Sequence, residues 1–347
     1  MASEYRFREW QENQRRTLQM AMAVHQAYGE ALKERLTLKG GMHWKTIKGR
    51  DYLYRYRDRQ GHGGSLGPRS PATEERFREF GRQRRELTAL LSARRRELAE
   101  AGRFCRAALI HRVPDPVVRI LRTLSQGDLP GNQIMVIGAQ ALHAYEYAAG
   151  VFIEAPKGGR FWPEAGQGLT LAAAVQVTPE EFMQLLRRAD RSFQLRPENE
   201  TAAVNKGGLT VRLLRPSLSR FQPQGRRESG AGALVPAATG DLAALVNSPR
   251  FTQVVIGRRG DPVTMTAPDP RALALHKLWL SQQESREPAK RGRDRVQAMA
   301  LAELILRYLP QYYFFAAELR LFPPEVASRV EGLVEGYETN QDLEVEY

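Results

Sequence analysis

The sequence QIMVIGA at residues 133–139, followed by QALHAYEYAAG at residues 140–150, decides the fold of this chain. The first part is a short run of mostly apolar residues, which is typical of a buried strand. The second part is rich in alanine and other apolar residues, and it predicts a helix packed directly behind that strand. A glycine, Gly138, marks the turn between them. The stretch therefore predicts a strand, a turn at Gly138 and Ala139, and a helix.

Strand and helix patterns continue on both sides of this stretch. Those that define a sheet are PVVRILRTL (116–124, helix), LTLAAAVQV (169–177, strand), TPEEFMQLLRRA (178–189, helix), ETAAVN (200–205, strand) and LTVRLLRP (209–216, strand). Thr178 is the predicted N-cap of its helix, and Gly207 and Gly208 form the turn of a hairpin. This order of elements indicates a small mixed sheet with helices packed on it.

The N-terminal third has a different pattern. Residues 4–37 have the apolar spacing of a helix, with Trp10 on its stripe. Aromatic and basic residues alternate in the segment at 42–70, which predicts a short hairpin or an ordered loop. Ser70 and Pro71 then predict the start of a long amphipathic helix that continues to Cys105.

We therefore predict an α+β fold in which helical regions flank a mixed sheet. The predicted domains are a basic helical module at 1–114 that includes the hairpin or loop, the sheet domain at 115–267, and a C-terminal helical domain at 268–336. Its last helical pattern, PPEVASRVEGLVEGY, begins at Pro323. Residues 216–237 predict an exposed loop, and residues 337–347 predict an acidic tail.

Composition and charge narrow the class of protein. The 347 residues carry a net charge of +13, and residues 1–130 hold 27 basic against 15 acidic residues, which is +12 of that excess. The N-terminal third is therefore the part suited to a polyanionic partner. The apolar runs are shorter than the about 20 residues that span a bilayer, so we expect a cytoplasmic protein with no membrane partner. A single cysteine excludes a disulfide framework, and we expect Cys105 to be buried.

A resemblance to a known family covers roughly residues 42–310. The stretch VIGAQALHAYEYAAGVFIE at 136–154 resembles a segment of a bacterial family of nucleotidyltransferase-fold proteins. Similar to that family are also MHWKTIKGRDYLYR, SLGPRSPATE, RADRSF, VNKGGLTVRLLRP and PDPRALALHKLWLSQQESREPAKRGRDRVQA. The resemblance implies a nucleotidyltransferase-like mixed sheet. It also implies that backbone N–H groups at Gly138 and Ala139 receive the phosphates of a nucleotide.

The chain departs from the family pattern at the metal-binding carboxylates. Gly168 and Thr170 stand where the family has an Asp-x-Asp strand, and Arg212 stands where a later strand carries a third Asp. We therefore predict that Mg²⁺ binding is absent or weak, because Mg²⁺ requires oxygen ligands. Glu154 or Glu164 could replace them, but neither has an acidic partner two residues away. Arg212 either contacts phosphate in place of a metal, or it points to solvent or pairs with a nearby acid.

Two other acidic positions and one lysine have alternative interpretations. Lys277 and Asp294 are similar to the nucleotide-facing Lys and Asp of abortive-infection type toxin nucleotidyltransferases. The alternative is a solvated helix face with an ion pair across neighbouring helices. Asp190 in RADRSF ends a helix, so a capping or ion-pair role is favoured over catalysis.

The basic segment at 42–70 also has two interpretations. Aromatic residues interleave there with the candidate nucleic-acid-binding residues Lys45, Arg50, Arg55, Arg57 and Arg69. Such a mixture neutralises phosphates and stacks on unpaired bases. The alternative is a hairpin that packs its aromatic side chains on the long helix and exposes its charges.

These observations leave three hypotheses for the function. The first is a degenerate nucleotidyltransferase, or pseudoenzyme, that still binds a nucleotide or an RNA end. The second is an active transferase with a rearranged site, acting on RNA or protein. The third is an interaction protein of a defence or toxin–antitoxin system, with a protein partner.

Overall fold

The computed structural model describes residues 5–58, 61–126, 134–155, 168–173, 177–196, 199–216, 237–239, 242–312 and 314. The chain divides into two compact units. Residues 16–110 and 260–262 form one, called here the N-terminal unit. Residues 1–15, 111–259 and 263–347 form the other, called the larger unit.

The chain begins with a strand rather than a helix. Strand β1 (Arg6–Glu9) precedes helix α1 (Glu12–Thr37), so the prediction of one helix over residues 4–37 is wrong at its start. β1 pairs antiparallel with the distant segment Val151–Glu154, and this backbone pairing overrides the local helical spacing. Trp10 lies outside α1, where its ring packs against Phe152.

The N-terminal unit combines a small sheet with a long helix. Strands β2 (Gly41–Ile47), β3 (Arg50–Tyr56) and β4 (Gly63–Pro68) form an antiparallel three-stranded sheet in place of the predicted hairpin or loop. Helix α2 (Pro71–Ala107) follows, and Ser70 caps it by accepting a hydrogen bond from the Thr73 N–H, as predicted. Cys105 is buried, and burial raises the pKa of its thiol to about 12.

The larger unit contains the remaining elements. In chain order they are α3 (Asp115–Gln126), β5 (Ile134–Ile137), a 3₁₀ turn (Gly138–Ala141), α4 (Leu142–Ala149), β6 (Val151–Glu154), β7 (Gly168–Ala173), α5 (Pro179–Ala189), β8 (Gln194–Arg196), β9 (Asn199–Val204), β10 (Thr210–Pro216), β11 (Ala237–Thr239), α6 (Leu242–Asn247), β12 (Phe251–Ile256), β13 (Pro262–Ala267), α7 (Pro270–Ser281) and α8 (Pro288–Tyr308). The predicted cap of α5 is present, because the Thr178 hydroxyl accepts from the Glu181 N–H.

A mixed sheet is the centre of the larger unit, and this confirms the predicted α+β fold. Its strand order is β5-β7-β10-β9-β8, and β11 pairs with β10. β7 and β10 run parallel, whereas β5 and β9 run antiparallel to their neighbours. Separate two-stranded pairings join β1 with β6 and β12 with β13.

The two faces of the mixed sheet are packed differently. On β7 and β10, Leu169, Leu171, Val211 and Leu213 are buried on one face. On the other face, apolar side chains of β5 and β7 form a cluster with α6, made of Met135, Ile137, Ala172, Leu242 and Val246. The exposed side chain of Arg212 belongs to this second face, because strand residues alternate between faces.

Several predictions fall on segments without a description. Most of the predicted loop at 216–237, the C-terminal helix PPEVASRVEGLVEGY, the acidic tail and Glu164 lie outside the described residues. In the part of the chain that is described, no helix combines the length and apolarity needed to cross a membrane.

Two glycines of the N-terminal unit provide a matched test of the sheet. Gly40 and Gly49 both have left-handed backbone conformations, with φ of +86° and +75°. A Cβ at Gly40 would collide with the carbonyl oxygen of Tyr56, whereas a Cβ at Gly49 would meet nothing within 4 Å. Of these two positions, Gly40 alone requires glycine both because of its left-handed backbone and because a side chain there would collide with β3.

We expect Gly40→Ala to lower the free energy of unfolding by more than ~2 kcal/mol, because left-handed strain of ~1–2 kcal/mol adds to a backbone collision. Gly49→Ala should cost the strain alone. Urea unfolding of the full chain measures both. Equal losses in the two variants would contradict the close approach of β3 to Gly40.

Candidate functional site

The turn after β5 is a glycine-dependent entry into a helix. Gly138 has φ of +74°, which a glycine adopts without strain, and a Cβ there would meet nothing within 4 Å. The residue before it, Ile137, gives the turn no side-chain cap. Gln140 is 5% exposed, and no described residue hydrogen-bonds to its side-chain oxygen Oε1. The start of this helix therefore has no capping side chain, and the Gln140 amide is buried beside it.

The three positions at which the family pattern has carboxylates lie together beside this turn. Thr170 on β7 is paired in register with Ile137 on one side and with Arg212 on β10 on the other. Gly168 lies two residues before Thr170 and therefore shares its face. The guanidinium of Arg212 is exposed, and no described residue forms an ion pair with it. This row places one cation on β10, which is separated from β5 and its turn by β7.

The strands of this row carry no acidic residue. The sequences of β5, β7 and β10 are IMVI, GLTLAA and TVRLLRP. Among the described residues, no group of three or more His, Cys, Asp or Glu side chains could hold a metal ion. Arg212 and Arg215 are therefore the only charged residues in the sequences of these three strands.

A buried carboxylate holds the helix behind the turn. Glu146 on α4 is completely buried and accepts hydrogen bonds from Arg112 (3.0 Å) and from the Ile153 N–H (2.7 Å). His143 Nδ1 lies 2.9 Å from the other carboxylate oxygen. The Arg112 guanidinium also lies 4.7 Å from the centre of the Phe152 ring. Glu146 therefore fixes α4 to strand β6 and to the segment before α3.

Comparison with known families agrees with this arrangement. A family model described as Nucleotidyltransferase matches residues 115–319, which is more than half of the 347 residues. The chain belongs to this nucleotidyltransferase family. No curated protein and no solved structure matches the chain. The family model covers the mixed sheet, the Gly138 turn and helices α7 and α8.

The Mg²⁺ that the nucleotidyltransferase fold implies does not fit the residues of this row. Gly168 has no side chain, Thr170 offers one hydroxyl, and Arg212 is a cation, whereas Mg²⁺ takes six oxygen ligands in octahedral geometry. Glu154 does not supply the missing carboxylate, because it lies on β6 in the separate β1–β6 sheet. Arg8 and Arg6 hydrogen-bond to it and hold its pKa below the ordinary value.

Lys277 and Asp294 form a buried ion pair between helices α7 and α8. Lys277 Nζ donates to Asp294 Oδ1 at 3.1 Å, and Arg286 donates to Oδ2 at 2.6 Å. Lys277 is 3% exposed and Asp294 is 4% exposed. Burial lowers the pKa of Lys277, and the charge of Asp294 offsets part of that effect. These contacts join Lys277, Asp294 and Arg286 to one another and do not test binding of a nucleotide. The assignment of Lys277 and Asp294 to nucleotide binding therefore stays a prediction.

Asp190 is surrounded by local partners. Its carboxylate accepts hydrogen bonds from the hydroxyl and N–H of Ser192 and from the side-chain amide of Asn205, and Arg119 lies 3.5 Å away. These contacts lower the pKa of Asp190, with the Ser192 hydroxyl as the largest cause. This residue ties the end of α5 to the β9–β10 hairpin, which agrees with the favoured interpretation.

The predicted nucleic-acid-binding residues are divided between the two faces of the β2–β3–β4 sheet. Register pairs Trp44 with Leu53 on the face that packs on α2, where the Trp44 ring contacts Phe77. Arg55 shares this face and lies 4.9 Å from the Phe80 ring, while Arg69 pairs with Asp51 and Glu74.

Lys45 and Arg50 lie on the opposite face, and both are exposed. Arg57 is exposed just after β3. We call the face that carries Lys45 and Arg50 the outer face.

Reasoning from the sequence missed the Glu146 network. The signal available was a glutamate in the middle of an alanine-rich, apolar helix, three residues after His143. Charged residues are rarely buried unless they are paired, so a glutamate at such a position indicates a buried partner. Its main partner, Arg112, lies 34 residues away and could not be identified from spacing.

We expect Glu146→Gln to destabilise the protein by ~3 kcal/mol, because it replaces a completely buried carboxylate that faces Arg112 with a neutral amide. Thermal and urea unfolding measure the change. The matched control is Glu287→Gln, which breaks the exposed pair with Lys290 and should leave the unfolding midpoint nearly unchanged. Equal midpoints for the two variants would show that the buried network does not stabilise the fold.

Proposed function

We propose that this nucleotidyltransferase-family protein binds the phosphates of a nucleotide, or of an RNA end, without metal-dependent transfer. The observation that carries the proposal is the position of Arg212 on β10. It lies in register with Thr170 on β7, and Thr170 pairs in turn with Ile137, the residue before the Gly138 turn. An RNA end with a 5′-triphosphate presents the same phosphate chemistry as a free nucleotide.

Electrostatics supports a fixed cation at this position. A guanidinium presents a planar set of donors that matches phosphate oxygens in bidentate contacts. Backbone N–H groups at the start of a helix favour the same negative charge. Arg212 and the Gly138 turn therefore supply two complementary parts of a phosphate site. Neither part supplies oxygen ligands for Mg²⁺ or activates a nucleophile, so binding is favoured over transfer.

The buried amide of Gln140 adds a third polar group to the turn. Buried side-chain oxygens nearly always have a hydrogen-bond partner. Among the described residues, Gln140 Oε1 has none. This oxygen is shielded from solvent, so a ligand at the turn does not reach it, and the proposal rests on Arg212 and the turn rather than on Gln140.

We expect calorimetry in EDTA to detect binding of at least one of ATP, GTP, CTP and UTP, and Arg212→Ala to weaken it by ~1.5–3 kcal/mol, which is about 10- to 150-fold. The matched control is Arg196→Ala, which removes an exposed arginine from the edge strand β8 of the same sheet. Its affinity should equal that of the parent. Binding that is indifferent to Arg212, or absent for all four nucleotides, would reject the site and favour the interaction-protein hypothesis.

Incubation with labelled nucleotides, total RNA and Mg²⁺ should give no incorporation of label that EDTA abolishes, because the row offers one hydroxyl where three carboxylates are needed. The triple variant Gly168→Asp, Thr170→Asp and Arg212→Asp restores the acidic pattern, and calorimetry should show that it gains Mg²⁺ binding. Repeated EDTA-sensitive turnover by the parent would contradict the proposal and favour an active transferase with a rearranged site.

A further inference from the structure

The outer face of the β2–β3–β4 sheet carries aromatic and basic side chains together. Register pairs His43 with Tyr54, and Lys45 with Tyr52. The His43 and Tyr54 rings are stacked with centroids 6.1 Å apart, and Lys45 Nζ lies 5.5 Å from the centre of the Tyr54 ring. Arg50 is exposed at the end of the same face. Two tyrosines two residues apart on β3 therefore lie about 6.8 Å apart along the strand, between basic side chains.

The neighbouring strand leaves these two tyrosines half-buried. β4 has the sequence GGSLGP, and its residue opposite Tyr54 is the small Ser65. A Cβ at Gly63, opposite Tyr56, would collide with the carbonyl oxygen of Arg55. The ring and hydrogen-bond contacts of His43, Lys45 and Tyr54 with described residues all lie within this sheet. β4 places Pro68 opposite Tyr52 and Ser65 opposite Tyr54, and both tyrosines remain partly exposed, so the outer face is a shallow aromatic surface.

The charge of the outer face has one sign. Asp51 is the only acidic residue in the three strands, and it lies on the opposite face, where Thr46 and Arg69 hold it. Hydrogen bonds from Thr46 and Arg69 lower the pKa of Asp51. Lys45 and Arg50 therefore have no acidic partner in the sheet, and their charges are available to an anion.

We propose that the outer face binds single-stranded nucleic acid, with unpaired bases on Tyr52 and Tyr54 and phosphates at Lys45 and Arg50. Exposed aromatic rings stack on bases only when the bases are unpaired, and flanking basic residues track the backbone. A duplex hides its bases and offers the face only phosphates. This site belongs to the N-terminal unit and does not depend on the nucleotide site at Arg212.

The test is fluorescence anisotropy of the full chain with a labelled RNA of about 12 nucleotides that has no self-complementarity. The parent should bind it, and Tyr52→Leu/Tyr54→Leu should weaken binding at least about tenfold, because leucine keeps apolar volume without an aromatic ring. The conservative variant Tyr52→Phe/Tyr54→Phe should bind as the parent does. Circular dichroism and the unfolding midpoint establish that each variant is folded.

Charge variants test the same face while both of its tyrosines are kept. Lys45→Gln/Arg50→Gln should reduce the slope of log affinity against log salt concentration by about 1.4, which is about 0.7 for each of two phosphate contacts on a single strand. The matched control, Arg84→Gln/Arg95→Gln, removes two exposed arginines from α2 and should leave the slope unchanged. Arg212→Ala should leave oligonucleotide binding unchanged, so that failure of the nucleotide site is distinguished from failure of this one.

Two further ligands define the chemistry. A duplex of the same RNA should bind at least about tenfold more weakly, because its bases cannot stack on the tyrosines. Single-stranded DNA of the same sequence shows whether the site distinguishes RNA from DNA. Equal affinity supports a general single-strand site, whereas a preference for RNA supports contacts to the 2′-hydroxyl. Equal binding of duplex and single strand, or full binding by the folded leucine variant, would overturn the proposal. So would an equal loss of slope in the α2 control.

Discussion

The buried carboxylate of Glu146 is the constraint on which the nucleotidyltransferase region depends. A single completely buried side chain contacts Arg112 before α3, the backbone of β6 and His143 on its own helix. Arg112 in turn donates its backbone N–H to Ile256 at the end of β12. Elements far apart in sequence are therefore joined through one ion, and α4 is fixed behind the Gly138 turn. A buried carboxylate destabilises the fold if one of its partners is missing. The network therefore favours the one arrangement of these elements in which all the partners are in place.

The candidate site can change its chemistry without changing this frame. Apolar side chains hold the sheet on one face of β7 and β10, and the α6 cluster packs on the other face. Gly168, Thr170 and Arg212 share that second face but are partly or fully exposed. Carboxylates at these three positions would repel one another without contacting the apolar side chains that hold the sheet. The sheet is therefore compatible with a row that has no acidic residue.

The sequence predicted those elements that are determined by residues close together in the chain. The caps at Ser70 and Thr178, the strand before Gly138 and the β9–β10 hairpin follow from residues within a few positions of one another. β1 could not be predicted, because its conformation is decided by pairing with β6 about 145 residues later. The same limit applied to the site. Sequence placed Arg212 on a strand, but only the register shows that Thr170 is its neighbour. For Lys277 and Asp294, sequence left two interpretations, and burial reveals the ion pair that joins them.

The N-terminal sheet shows why composition alone overestimates a binding surface. Its basic and aromatic residues form one continuous stretch in sequence, but a strand sends alternate residues to opposite faces. Arg55 and Trp44 are used to pack the sheet on α2, and Arg69 is paired with Asp51 and Glu74. Lys45, Arg50, Tyr52 and Tyr54 remain on the outer face. The two interpretations of this segment are therefore not exclusive, because each describes one face. Period-two alternation lets the same run of residues stabilise the unit on one side and leave a basic aromatic surface on the other.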